Sequence, residues 1–269
     1  MKIVFITSED PVDRSVLSGI AKSFPPSLTL GCVWDATKIK RRSLIPTPQR
    51  IIGVVNAITQ RKFEARRIAE INSRFNEKRT ELPNEQVVKI SLVNSNNTSQ
   101  LIASHQPDIM VVCGAPILRE QIFGIPKICT INIHFGISSA YRGQHTVLWP
   151  MFENRFDQIG ATIHMIDKGV DTGNLLFEVY PDVTPEDDEV SLELKIAENI
   201  VEPFVDMLTQ IENSQSGELI GQPQTTQGKE IRYRDLGPWT SSVYALKKHL
   251  SLIRIPTIPA RSRLFYKVD

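Results

Sequence analysis

Short apolar runs of strand length alternate with longer amphipathic stretches along the first half of the chain. Positions 2–7, 28–34, 87–92, 109–113 and 129–134 are rich in Val and Ile and are closed by turn residues, so they read as β-strands. Between them, positions 12–23, 57–79, 98–105 and a short 118–123 carry apolar residues at helical spacing. Strands and helices alternating in this way predict βαβ crossovers, and hence an α/β fold whose doubly wound, mainly parallel sheet has helices on both faces. Further on, 145–154 reads as a helix with Val147, Leu148, Met151 and Phe152 on one face. Two strands, 160–166 and 175–180, are joined by a loop over 167–174, and 189–212 is a long amphipathic helix expected to pack back on the sheet. Ligands of such folds sit at the carboxyl ends of the strands, near the switch in strand order.

Composition refines this picture in a few places. With 269 residues, 41% of them hydrophobic, the chain can bury a sizeable core. The pattern divides it into a domain over 1–212, a linker over 213–227 rich in Ser, Gly, Gln and Thr, and a short C-terminal appendage over 228–269. That appendage is basic, with nine Lys or Arg against three acids. A net charge of +1 exerts no global pull toward nucleic acid. Basic residues nevertheless clump between 38 and 67, where Lys38, Lys40, Arg41, Arg42, Arg50, Arg61, Lys62, Arg66 and Arg67 face only Glu64. A solvated helix face is the first reading of that clump and a phosphate-binding patch the second. Cys32, Cys113 and Cys129 lie far apart in apolar runs and read as reduced core thiols. The N-terminus reaches acidic residues at once, unlike a secretory signal, and no apolar segment approaches the ~20 residues needed to span a bilayer. A cytoplasmic protein without a membrane span is expected.

The chemistry concentrates between Ile131 and Leu176. Asn132 and His134 are two apart at the end of a strand, so an amide and an imidazole share one face. Asp171 follows in a Gly-flanked turn. Taken singly, each residue has an ordinary structural reading. Asn132 fits a turn or cap, His134 a hydrogen-bonded structural histidine, and Asp171 a turn residue with Asp157 and Asp167 as rivals. His164, alternating with Ile163 and Met165, reads as structural. His134, His145 and His164 form no ligand set with a Cys or a close carboxylate pair, so no metal is expected.

Taken together, Asn132-Ile133-His134, Tyr141-Arg142-Gly143 and Asp171-Thr172-Gly173-Asn174-Leu175 resemble, in order and separation, the folate-dependent formyltransferases. That family includes glycinamide ribonucleotide transformylase, the methionyl-tRNA formyltransferases and the nucleotide-sugar N-formyltransferases. The resemblance covers residues 85 to 205 well and implies a Rossmann-like formyltransferase fold with Asn132, His134 and Asp171 as catalytic residues. It also implies 10-formyltetrahydrofolate as donor, held by Cys113, Gly114, Ala115, Pro116, Ile117 and Leu118 and by Asp167, Gly169 and Val170. Such a transfer needs a donor to the formyl oxygen, which the Asn132 amide and a protonated His134 would supply. It also needs a proton acceptor, expected at Asp171, which would in addition keep His134 protonated above the usual imidazole pKa of about 6.5.

The acceptor is a small-molecule amine under this reading. Tyr141, Arg142, Gly143, His145 and Trp149 are its candidate contacts, and a Trp a few residues after Tyr-Arg-Gly is similar to the nucleotide-sugar N-formyltransferases. A forked Arg142 reaching a pyrophosphate and a Trp149 face stacking on a sugar or base would fit a nucleotide-linked amino sugar. An Arg142 tied to backbone carbonyls and a Trp149 buried in the next helix are the alternatives. Hydroxyornithine and glycinamide ribonucleotide are rival acceptors, a folate-binding scaffold without turnover is the non-enzyme rival, and a homodimer stays open. Gly136-Ile137-Ser138-Ser139-Ala140 departs from the Ser-Leu-Leu-Pro of many relatives, in the region of the acceptor pocket.

Overall fold

In β1 (Ile3–Thr7), Ile3 and Phe5 face one side of a sheet while Val4 and Ile6 face the other, and all are buried. Burial on both faces is what a near-continuous apolar strand predicts. The computed structural model describes residues 1–33, 48–74, 87–250 and 252–269. From β1 the chain forms α1 (Pro11–Ala21), β2 (Leu28–Cys32), α2 (Pro48–Arg74), β3 (Val87–Ile90), α3 (Asn96–His105) and β4 (Ile109–Cys113). It continues through α4 (Glu120–Phe123), β5 (Cys129–His134), β6 (Tyr141–Gly143), α5 (Leu148–Phe152), β7 (Ala161–Met165), β8 (Leu175–Tyr180) and α6 (Glu189–Asn213). Last come β9 (Leu219–Gly221), β10 (Lys229–Ile231), α7 (Pro238–His249), β11 (Arg261–Leu264) and β12 (Tyr266–Val268).

Eight strands form one sheet in the order β11-β8-β7-β5-β4-β1-β2-β3. The strands β1 to β5 are mutually parallel, and β7 and β11 run antiparallel to their neighbours, so the sheet is mainly parallel. The chain moves outward from β1 to β3 and returns to β4 on the other side of β1, which places the switch in strand order between β1 and β4. Ile3, Phe5, Val111, Ile131 and Ile163 pack on one face with α1 and α6, and Val4, Ile6, Leu30, Met110 and Val112 on the other with Ile102 of α3 and Ile122 of α4. Helix α1 starts at an Asp10 cap that accepts the Val12 amide at 2.9 Å, followed by Pro11 with its φ already set for a helix.

Several expected elements differ in extent. The helix expected over 57–79 begins at Pro48, and 75–79 lie outside the described residues. That expected over 145–154 shrinks to α5, because His145 and Asn154 take φ of 55° and 56°. The segments expected as linker and appendage contribute strands. Strand β10 pairs with β6, β11 extends the large sheet beside β8, and β9 pairs with β12. All four residues of β11 are exposed and alternate polar with apolar only weakly, so no local pattern marks it as a strand. No helix among the described residues is long and apolar enough to cross a membrane.

The basic clump divides. Arg61, Lys62 and Arg66 are exposed on α2, whereas Lys38, Lys40, Arg41, Arg42 and the side chain of Arg50 lie outside what is described. Arg67 turns inward, 2.6 Å from Asp10, 2.7 Å from Glu193 and 3.5 Å from Glu64. One guanidinium thereby joins the cap of α1 to α2 and α6. Removing a partner from a buried ion pair costs about 3–5 kcal/mol because the opposite charges stay behind. Arg67→Met is therefore expected to lower unfolding free energy by that order in urea titrations, and a loss below about 1 kcal/mol would show that the network does not hold the helices together.

Candidate active site

Pairing between β5 and β7 builds the site. The antiparallel register sets Asn132 opposite His164 and His134 opposite Thr162. Side chains directly opposite in a sheet share a face, so β7 adds a second imidazole to the Asn132–His134 pair. The loop after β7 then brings in Asp171, which has φ of 52°, a left-handed conformation that Asp tolerates better than most residues. Its carboxylate meets Asn132 Nδ2 at 3.3 Å, His164 Nε2 at 3.4 Å, His134 Nδ1 at 3.5 Å and the Gly143 backbone N–H at 2.9 Å. The three residues expected to be catalytic are thus brought together, and Asp157 is not among them.

Hydrogen-bond direction orders the neutral forms of these groups. His164 Nδ1 lies 2.7 Å from the Met165 carbonyl, which only an N–H can satisfy, so in the neutral ring Nε2 accepts from Asn132 Nδ2 at 3.2 Å. Asn132 thereby directs one amide hydrogen to His164 and the other to Asp171. Turning the amide over would set its oxygen against the carboxylate. His134 Nε2 donates to the Tyr141 carbonyl at 3.2 Å, leaving Nδ1 toward Asp171.

Two segments beyond the motif hold the Asp171 turn. Gln224 Nε2 donates to the carbonyls of Asp171 at 3.0 Å and Gly173 at 2.7 Å, while Gln224 Oε1 accepts from Ser138 Oγ at 2.8 Å. Gly143 has φ of 90°, and a Cβ there would come within 2.2 Å of the Ile231 carbonyl of β10. Only glycine lets β6 approach β10 with its N–H aimed at Asp171. Gln224 and His164 are the site residues that sequence reasoning did not single out as functional. The first sits in an apparent linker, and the second is visible only once β5 and β7 are in register.

The proposed contacts to the acceptor are placed differently from expectation. Arg142 is tied to backbone carbonyls, Nε to Gly228 at 3.1 Å and Nη1 to Val170 at 3.1 Å. Trp149 is buried with Tyr141 and Ile231, with Lys229 Nζ 4.6 Å from its ring centroid. An open Trp149 face for stacking is thus corrected, because α5 packs that ring against β6 and β10. The Tyr141 hydroxyl donates to Glu153 at 2.6 Å. His145 is turned inward beside Phe63 and 3.7 Å from Glu64, and burial lowers its pKa to about 4.

Two loops expected to hold the donor follow β4 and β7, and Lys168 of the second lies 2.9 Å from Glu120, just beyond the first. After β4, Gly114 has φ of 75°, and a Cβ there would strike the Asp13 carboxylate. Ile117 is 72% exposed, whereas Leu118, also expected to hold the donor, is buried in the core. Cys113 is buried with its thiol 3.5 Å from Asp13, and burial first, then Asp13, pushes that thiol well up. Asp167 folds its own loop by accepting from the Gly169 N–H at 2.9 Å and Thr172 Oγ1 at 2.7 Å. The Val170 side chain is half-buried. Among the described residues no group of three or more His, Cys, Asp or Glu side chains is placed to hold a metal ion.

Burial and charge compete at the centre. Burial opposes ionisation of Asp171, but His134, His164 and the Gly143 N–H outweigh it and hold the carboxyl well below the usual carboxylate range. For His134 burial wins over the attraction of Asp171, and its pKa lies below the ordinary imidazole value. The expectation that Asp171 keeps His134 protonated above 6.5 is corrected. An ionised Asp171 remains satisfied beside a neutral His134, because the Asn132 amide and the Gly143 N–H still donate to it. Away from this centre, burial followed by Asp10 raises Asp13 to about 7.

Residues 50–208 match the family model described as formyl transferase. A methionyl-tRNA formyltransferase from Sulfurihydrogenibium sp. (strain YO3AOP1) is 29% identical over 68% of this chain and 57% of its own length. One from Desulfotalea psychrophila is 24% identical over 61% of this chain and 50% of its own. The chain spans about half the length of the curated relatives it matches. A sugar N-formyltransferase structure from Shewanella superposes with a TM-score of 0.56 at 15% identity, covering 98% of this chain and 99% of that one. A phosphoribosylglycinamide formyltransferase from Streptococcus pneumoniae superposes at 0.51 with 18% identity, covering 79% and 100%. At these identities the structural likenesses are ones of fold.

The His134 balance is open to measurement. Ring-proton NMR of the free protein should show His134 titrating below 6.5, and Asp171→Asn should move it lower still by removing the larger of the two influences, Asp171 and the Tyr141 carbonyl, that favour its charged form. Titration of His134 above 6.5 would show that Asp171 outweighs burial.

Proposed function

Because the chain belongs to the formyl transferase family, whose model covers residues 50–208, we propose that it moves a formyl group from 10-formyltetrahydrofolate to the amino group of a small acceptor. The acceptor we favour is an amino sugar carried on a nucleotide diphosphate. The observation that carries the reading is the Asp171 carboxylate within 3.5 Å of Asn132, His134 and His164 at the ends of β5 and β7. A folate-binding scaffold without turnover has no physical need for this costly set of partly buried polar groups.

When bound, 10-formyltetrahydrofolate supplies an activated formyl carbon. Gly114 to Ile117 and the 167–170 loop are the residues to hold it, and an exposed apolar Ile117 beside a left-handed Gly114 suits a flat heterocycle pressed against backbone. Asn132 polarises the formyl oxygen by giving it one of the amide hydrogens now directed to Asp171 and His164. A carboxylate held as low as Asp171 is a weak base, so the proton of the attacking amine goes to neutral His134 and Asp171 stabilises the imidazolium so formed. His134 then returns that proton to the leaving nitrogen. Gln224 and Gly143 keep Asp171 in place throughout.

Support for an amino-sugar acceptor comes from the Shewanella structure, which is matched over nearly its whole length, including the region of β9 to β12. The methionyl-tRNA formyltransferases are matched over about half of theirs and bring charged initiator tRNA in as a competing acceptor.

Asn132→Ala, His134→Ala and Asp171→Asn are each expected to reduce formyl transfer by at least about a hundredfold, the scale of losing an oxyanion donor or acid–base group. Circular dichroism should show the fold retained, and a near-native rate in any one of them would remove that residue from the mechanism. Acceptor identity is read by offering nucleotide-linked 3-amino and 4-amino deoxysugars, hydroxyornithine, glycinamide ribonucleotide and charged initiator tRNA with the same donor. Turnover confined to the amino sugars is expected. Formylation of only another amine would replace the acceptor while leaving the transferase reading intact.

A further inference from the structure

On the far side of α5 from β6, a cavity of about 370 Å³ opens between α5, the turn from β8 into α6, α7 and the segment after it. We propose that it binds a small anionic molecule with a flat apolar body, at a site separate from the transfer centre. Its volume falls in the range of small-molecule pockets, about 300–1,000 Å³. Its apolar surface comes from Met151, Tyr244, Ile253 and Ile255, and none of the residues assigned above to donor, acceptor or catalysis lines it.

The charged lining sets the sign of the ligand. Asp187 and Asp188 are already engaged. Asp187 holds Lys195 Nζ at 2.8 Å, Ser191 Oγ at 2.7 Å and the Thr184 N–H at 2.8 Å. Asp188 caps α6 through the Ser191 N–H at 2.9 Å and pairs with Arg74 at 2.6 Å. Lys248 and Arg254, by contrast, are exposed at the rim and make no ion pair within 4 Å among the described residues. A cationic ligand would meet two repelling rim charges and two carboxylates whose hydrogen-bonding capacity is largely taken. An anionic one meets two donors with no ion pair within 4 Å among the described residues, Lys248 being held only by the more distant pull of Asp188 and Glu189. Burial, then Glu189 and Asp188, push the Tyr244 phenol up, so this wall residue stays neutral. A ring is favoured over a chain because Tyr244 and the two isoleucines offer flat and branched surfaces on which a rigid body loses little freedom on binding.

Isothermal titration of the full chain tests this with 2-naphthoate as the probe, 2-naphthalenemethanol as its uncharged analogue and inorganic phosphate as charge without an apolar body. One naphthoate per chain is expected, with the alcohol and phosphate each weaker by about tenfold or more. Lys248→Ala combined with Arg254→Ala should weaken naphthoate by about tenfold and leave the alcohol unchanged. Ile255→Trp should block both by filling the cavity. Because the rim residues are exposed, the double variant is expected to fold, which circular dichroism verifies. Asp171→Asn should bind naphthoate as the unaltered protein does, so loss of formyl transfer and loss of this site are separable. Absence of naphthoate binding, equal binding of the alcohol, or binding indifferent to the double variant would each overturn the proposal.

Discussion

A carboxylate taken largely out of water must find donors, and the region around Asp171 is arranged by that requirement. Its neighbours arrive from three strands. Asn132 and His134 come from β5, His164 from β7, and a backbone N–H from Gly143 at the end of β6. Strand β6 in turn is held by β10, and the turn carrying Asp171 is held by Gln224. One left-handed residue therefore ties together segments as far apart as 132 and 231. The cost of desolvating a charge is offset only if all these partners are present at once, so the site and its surroundings form a unit.

The same competition gives the imidazole its character. His134 is buried deeply enough that the neutral form prevails, yet Asp171 waits 3.5 Å away to receive the charged form. An imidazole that is neutral at rest and stabilised once protonated suits the proposed transfer, in which a proton is taken from one nitrogen and given to another. Arg67 has a different task. Its partners Asp10, Glu64 and Glu193 belong to three helices, so its charge serves to fasten α1, α2 and α6.

What was legible from sequence followed from local periodicity and from one spaced motif. The strands β1, β2, β4 and β5 and the helix α6 were visible because burial on both sheet faces favours largely apolar runs of strand length, and burial on one helix face forces a 3.6-residue stripe. Asn132 and His134 were readable as a pair because i and i+2 share a face of any strand. Strands β9 to β12 were not legible. They are three or four residues long, mostly exposed, and owe their existence to partners 40 to 90 positions away.

The sequence by itself determined the α/β class and the alternation that makes most of the sheet parallel, since these depend on residue type and short spacing, and its spaced motif marked Asn132, His134 and Asp171 as candidates. Only the tertiary structure decided that His164 joins them, because that follows from the antiparallel register of β5 on β7. It alone decided that Arg142 spends its donors on Val170 and Gly228 and that Trp149 is packed away, because exposure is a property of what surrounds a side chain. It decided the protonation of His134 for the same reason. The attraction of Asp171 can be anticipated from charge, but the opposing desolvation depends on how many atoms the fold places between the ring and water.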